Sequence, residues 1–188
     1  NVTQLAKGGS VASNSVAIDQ VLTTATTSLT VDFGATYTNG TFDASAAPLS
    51  SYSLDIAADS TLEDVRDQIN ADADAGVTAS IVNDGTGYRL ALSSKETGKE
   101  ASVVSFSGLA QLTMDDATLR PGQDAELEVN GIAITGTTNR IEEAIQGVTL
   151  DISAVSENPV SLVIERDEAS LKETINEFVS TYNEVRST

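Results

Sequence analysis

Leu127 and Val129 alternate with polar residues up to Asn130-Gly131, and Ile132 and Ile134 alternate away from it. Apolar residues at every second position share one face of a strand. An Asn-Gly pair takes the positive φ values that a two-residue antiparallel turn requires. This segment is therefore read as a β-hairpin, and the same grammar recurs along the chain. Leu29, Val31 and Phe33 share a face, as do Tyr52, Leu54 and Ile56. Val77, Ala79 and Ile81 run into the turn-forming stretch Asn83-Asp84-Gly85-Thr86-Gly87, from which Tyr88, Leu90 and Leu92 return. Further strands are expected near 102–106, at Val148, Leu150 and Ile152, and after Pro159 at Val160, Leu162 and Ile164. Residues 37–51, with Asn39-Gly40 and Pro48, read as a loose hairpin or irregular connection, and 107–123 as a polar connection.

Helical spacing is confined to a few places. Ser60-Thr61-Leu62-Glu63 has the form of a capping box with Ser60 as the cap, followed by Leu62, Val65 and Ile69 on one face of a short helix ending near Asn70. Asn139 is positioned to cap a short helix through Glu142, with Ile141 and Ile145 inward and Gly147 as its stop. Val2, Leu5 and Ala6 read as the last turn of a helix stopped by Gly8-Gly9. From Asp167, a suitable N-cap, Leu171, Ile175, Phe178, Tyr182 and Val185 recur at spacings that form a coiled-coil-like packing face. A helix of about 20 residues, roughly 30 Å long, would call for a partner helix. The expected fold class is α+β, mainly β: two small β-rich head domains of antiparallel hairpins and short helices, inserted in a helical stalk. The expected divisions are 1–14, the end of an N-terminal stalk segment; 15–113, the first head domain; 114–166, the second; and 167–188, the start of a C-terminal stalk helix.

Composition narrows the function classes. Hydrophobic residues make up 40% of the 188-residue chain, enough for a core, but aromatics are only 4% and Trp is absent. Deep ligand pockets usually have aromatic walls, so thin aliphatic layers fit better. The net charge of −18 opposes binding to nucleic acid or to an anionic membrane, both of which need clustered Lys and Arg. No run approaches the roughly 18 apolar residues of a spanning helix. Cys is absent, which rules out disulfides and suits a chain threaded unfolded through a narrow export channel. The chain opens on Asn1 rather than Met and is read as an excised fragment.

The chemistry-bearing motifs resolve to bland readings. Without His or Cys, the commonest general base and the thiol nucleophile are both missing. The carboxylate neighbours Asp115-Asp116 and Glu142-Glu143 point apart on a strand or helix, so no catalytic residue is expected. Asp72-Ala73-Asp74-Ala75-Gly76 lacks the later ligands of a calcium loop and reads as an acidic turn ending a helix, so no metal or cofactor is expected. Asn83–Gly87 has no Lys and joins two strands, and the sequon Asn39-Gly40-Thr41 is given no weight.

Four stretches in order carry a resemblance. They are Gln4-Leu5-Ala6 with Val11-Ala12-Ser13; the run 60–98 containing Ile69-Asn70, then Gly76-Val77-Thr78-Ala79-Ser80, then Gly87-Tyr88-Arg89-Leu90; Gln123-Asp124-Ala125 through Asn130-Gly131, Thr138-Asn139 and Gly147-Val148-Thr149-Leu150; and Phe178-Val179 with Tyr182-Asn183-Glu184. The sequence resembles the flagellar hook-associated protein 2 family, the filament-capping proteins. Ile69, Asn70, Gly76, Val77, Ala79, Ser80, Asn130 and Gly131 are the structural positions of the shared motif. The resemblance implies an extracellular protein at the flagellum tip, exported by the flagellar secretion system. It implies a ring-like homo-oligomer that promotes flagellin folding and insertion, with flagellin subunits, hook–filament junction proteins and in some cases host mucin as partners. The alternatives are a surface adhesin module binding mucin or glycans through the β head, against which the few aromatics argue, and a hydrolase built on a buried carboxylate pair.

Overall fold

The alternating runs become strands. In the computed structural model, which describes residues 1–156, 158–161, 175–182 and 186, the chain runs through β1 (Val2–Gln4), β2 (Ser10–Ser13), β3 (Thr27–Phe33), β4 (Tyr37–Thr38), β5 (Thr41–Phe42) and β6 (Ser50–Ile56). Helix α1 (Leu62–Ala71) and a 3₁₀ turn (Ala73–Ala75) follow, then β7 (Val77–Asn83), β8 (Tyr88–Ser94) and β9 (Val103–Ser107). The last strands are β10 (Met114–Arg120), β11 (Ala125–Val129), β12 (Ile132–Gly136), β13 (Arg140–Ile145) and β14 (Val148–Asp151). The chain divides into the units Asn1–Asn158 and Pro159–Thr188.

The first unit contains two separate cores, and hence two lobes. In lobe one the sheets β10-β2-β8-β7 and β6-β3-β9, with α1, enclose residues such as Leu29, Val31, Leu62, Ile69, Leu90 and Leu92. Burying each of the large aliphatics contributes about 1.5–3 kcal/mol. In lobe two β1-β11-β12 and β13-β14 cover Ala6, Ala125, Leu127 and Ile141. The expected β-rich, small-sheet character is found, with antiparallel pairing throughout the named strands.

Several local expectations are corrected. Val2, Leu5 and Ala6 do not end a helix: Val2–Gln4 pairs with the edge of β11, and tertiary pairing outweighs local spacing. Gly8-Gly9 is no helix stop. A Cβ on Gly9 would lie 2.3 Å from Ser102 Oγ and 2.7 Å from the Val103 carbonyl, so glycine is required by close approach. Residues 1–14 therefore supply strands to both lobes. The helix cap is Thr61, not Ser60. Asp64 N–H donates to Thr61 Oγ1 and Thr61 N–H donates back to Asp64 Oδ2 at 2.9 Å, while Ser60 Oγ donates to the Ala57 carbonyl. Residues 139–142 are not helical: Ile141 pairs with Leu150 within β13-β14. The connection 107–123 holds β10, hydrogen-bonded to β2, so lobe one extends beyond the expected boundary at 113. The loose hairpin at 37–51 contains β4-β5, with Asn39 at φ 52° and Gly40 at φ 77° between them. Of the strand expected at Val160, Leu162 and Ile164, Val160 lies in no regular element, and Leu162 and Ile164, like the proposed cap Asp167, lie outside the described residues.

One polar staple ties the β7-β8 turn to β10 across lobe one. Arg89 Nε donates to Asp84, and Arg89 Nη1 donates to Asp115 at 2.6 Å and to the Ser13 carbonyl at 2.9 Å. The Arg89 guanidinium, then the Thr86 hydroxyl and amide, hold the Asp84 carboxyl far below the usual carboxylate range. A depressed folded value means that the stabilisation is present above the unfolded value of about 3.9 and is lost as pH falls below it. Asp84→Asn is expected to lower stability at pH 7, with the gap to the unaltered protein closing below about pH 4. Urea melts at pH 7 and pH 3 check this, and an equal gap at both would refute it.

Candidate functional site

Of the motif residues found by sequence, Ile69, Asn70, Gly76, Val77, Ala79 and Ser80 lie together where α1 meets the edge strand β7, while Asn130 and Gly131 lie apart in lobe two. Ile69 is buried in the core of lobe one, and Val77 and Ala79 are buried beside it. Asn70 is the last polar side chain of the helix turned toward the sheet. Ala79 N–H donates to Asn70 Oδ1 and Asn70 Nδ2 donates to the Ala79 carbonyl, both at 2.8 Å. In an antiparallel ladder one residue's N–H and C=O point to the same side. Ala79 turns both away from β8, and the amide of Asn70 takes them as a further strand would. An edge that would otherwise stay open to pairing is closed here. Gly76 lies at φ 67°, where its missing Cβ leaves room for the Phe33 ring, and Ser80 is exposed on the outer face of β7.

The acidic turn beside this bracket is held by ordinary contacts. Tyr52 OH donates to Asp72 Oδ2 at 2.5 Å, and Lys95 Nζ donates to the Asp72 and Ala73 carbonyls. The hydrogen bond to Asp72 pushes the Tyr52 phenol up to about 12 and holds the Asp72 carboxyl below its ordinary value. Of the two carboxylate neighbours, Asp115 accepts from Arg89 and Glu142 pairs with Arg140.

A second bracket, missed in the sequence, repeats the chemistry in lobe two. Ala6 N–H donates to Asn139 Oδ1 at 2.8 Å and Asn139 Nδ2 donates to the Ala6 carbonyl at 3.0 Å. Asn139 thus joins the β1 segment to the start of β13, which is why it caps no helix. Asn130 and Gly131, at φ 52° and 82°, form the expected turn between β11 and β12. Close by, the chain's first and last segments in this unit touch: Val2 N–H donates to Ser156 Oγ at 2.8 Å and Ser156 N–H to the Val2 carbonyl at 3.0 Å.

In the second unit Ile175, Phe178 and Tyr182 lie in a helical stretch, 52%, 71% and 57% exposed. Leu171 and Val185, expected on one packing face with them, lie outside the described residues.

Comparison with known proteins fits this arrangement. The family model described as "Flagellar hook-associated protein 2 C-terminus" matches residues 122–188, and "Flagellin hook IN motif" matches 35–96, the span that contains the Asn70 bracket. The D2–D3 domains of the flagellar cap protein FliD from Serratia marcescens are 30% identical, with 84% of this chain and 85% of that chain covered at a TM-score of 0.60. The chain belongs to the flagellar hook-associated protein 2 family. The D1–D2–D3 structure of FliD from Escherichia coli covers 97% of this chain and 55% of that one, with a TM-score of 0.78 and 29% identity. The B-type flagellar hook-associated protein 2 of Pseudomonas aeruginosa is 36% identical over 147 residues, 65% of this chain, and the A-type protein 32% over 212 residues, 98% of this chain. This family member spans 31% and 41% of those two relatives' lengths.

The Asn70 side chain is exposed, and its half-buried hydrogen bonds to Ala79 each contribute a net of about 0.5–1.5 kcal/mol. Asn70→Ala is expected to lower stability by that amount per bond in urea unfolding. Asn70→Asp sets a carboxylate oxygen against the Ala79 carbonyl and is expected to cost at least as much at pH 7. An Asn70→Ala loss under about 0.5 kcal/mol, the range of ordinary surface substitutions, would show that the bracket does not hold β7.

Proposed function

We propose that this chain is the head of a cap at the distal tip of the bacterial flagellar filament, where it assembles as a ring-like homo-oligomer and promotes flagellin folding and insertion. The role is structural, exercised by shape and surface rather than by a reaction. The observation that carries it is the hydrogen-bonded contact between Val2 and Ser156. A head whose chain enters and leaves at one place is suited to insertion in a stem of two antiparallel segments. The helical residues Ile175, Phe178 and Tyr182, exposed and apolar, support a stalk face that also includes Leu171 and Val185. On this reading 167–188 begins the returning stalk helix, and the partners are further copies of the chain, flagellin subunits and hook–filament junction proteins.

Net charge of −18 and the absence of Cys agree with a chain that is exported unfolded and works outside the cell. The cap proteins among the solved relatives, named as such for Escherichia coli and Serratia marcescens, give the reading its specific form. Deleting the parent gene is expected to leave cells that shed unpolymerised flagellin into the medium, restored by the parent gene in trans. Ultracentrifugation of culture supernatants and electron microscopy check this, and filaments of normal length in the deletion strain would refute it.

A further inference from the structure

The polypeptide passes between the two lobes twice, at residues 7–9 and at 121–124. A hinge needs a few connecting residues free to change φ and ψ, and these have little such freedom. Lys7 N–H donates to the Gln123 carbonyl at 2.9 Å and Gln123 N–H to the Lys7 carbonyl at 3.0 Å, so the crossings form an antiparallel bridge. Gln123 Nε2 adds a bond to the Leu5 carbonyl. The loop 97–102 of lobe one closes over the bridge. Gly98 N–H donates to the Lys7 carbonyl, Gly122 N–H to the buried Ser102 hydroxyl at 2.8 Å, and Thr97 Oγ1 to the Thr137 carbonyl in lobe two.

Asp124 is a buried charged side chain of this junction. It is 8% exposed, accepts the Lys99 amide at 2.9 Å and meets Lys99 Nζ at 3.2 Å. Tyr37 OH reaches the Gly122 carbonyl, and burial, reinforced by the Asp124 carboxylate, pushes its phenol up. Space is as restricted as bonding. A Cβ on Gly122 would sit 2.8 Å from the Lys7 carbonyl oxygen, 2.9 Å from the Gly9 nitrogen and 2.9 Å from the Gly98 carbonyl oxygen.

The geometry points to a rigid coupling between the lobes, with Lys7, Gly98, Gly122 and Asp124 as positioning residues that fix one lobe against the other. The inference stands on the junction alone and does not depend on the cap reading. A push on lobe two is delivered to lobe one as a displacement of the whole body rather than as a bend between them.

The chain has no Cys, so spin labels attach only where a Cys is introduced. In the full 188-residue chain, exposed Glu63 on α1 and Thr135 on β12 give an interlobe pair, Glu63→Cys with Thr135→Cys. Glu63→Cys with Ser107→Cys gives an intralobe control. Pulsed electron–electron resonance is expected to return an interlobe distance distribution as narrow as the control. A markedly broader one would overturn the inference. Gly122→Ala is expected to shift or broaden the interlobe distribution while leaving the control distribution and circular dichroism unchanged; no change in the interlobe distribution would count against it. Should Gly122→Ala fail to fold, Asp124→Ala carries the same expectation, and an unaltered interlobe distribution in that variant would overturn the inference.

Discussion

The architecture depends on the pairing of Lys7 with Gln123. Because the two crossings bond to each other, the segment before Lys7 is committed to lobe two and the segment after it to lobe one. The second crossing reverses the assignment, taking the chain from β10 in lobe one to β11 in lobe two. Each lobe is therefore closed by a strand from the beginning of the chain: β2 lies between β10 and β8, and β1 completes the sheet of β11 and β12. Contacts of such long sequence separation are costly to form and stabilise only once the intervening hairpins exist. The local hairpins β7-β8 and β11-β12 are suited to form first, with β1 and β2 added to them.

Two asparagines finish what the bridge begins. Asn70 and Asn139 each use one side-chain amide to satisfy both polar groups of an alanine backbone, at Ala79 and at Ala6. Asp could not do this, since it has no donor when ionised, and Gln would reach one methylene too far. The alanines match the device, since their small side chains pack at 4% and 3% exposure beneath the bracket. One bracket closes an edge of lobe one and the other fixes the first crossing against β13, so both serve to fix backbone position rather than to present a reactive group.

The sequence was most legible where strand pairing is regular, even where, as at Ile132 of β12, the alternating face stays exposed. β3, β6, β7, β8, β11 and β12 all show clean alternation and Gly-containing or Asn-containing turns. It was least legible where pairing is irregular. β13 carries a register shift between Glu142 and Ile145, with Glu143 at φ 61°, and the extra residues space Ile141 and Ile145 four apart, the period of a helix. β10 breaks its register between Asp115 and Arg120, which erased its period, and Thr118 Oγ1 accepts the Ala12 amide there in place of a backbone carbonyl. β1, of three residues, is too short to show any period. Of the site, Ile69, Asn70 and Gly76 were visible through resemblance, but the partner of Asn70 was not. Asp124 was visible only as part of a resemblance and Lys7 and Gly122 pointed to no junction, because the roles of all three exist only when distant segments meet.

The central claim is that the paired crossings belong to the most stable part of the molecule. Native-state hydrogen exchange tests it directly at the amides of Ala6, Lys7, Gly122 and Gln123. The account predicts that they exchange only through global unfolding, as slowly as the core amide of Leu90 in β8. Exchange by local opening, at the rates of the exposed turn near Gly131, would contradict it.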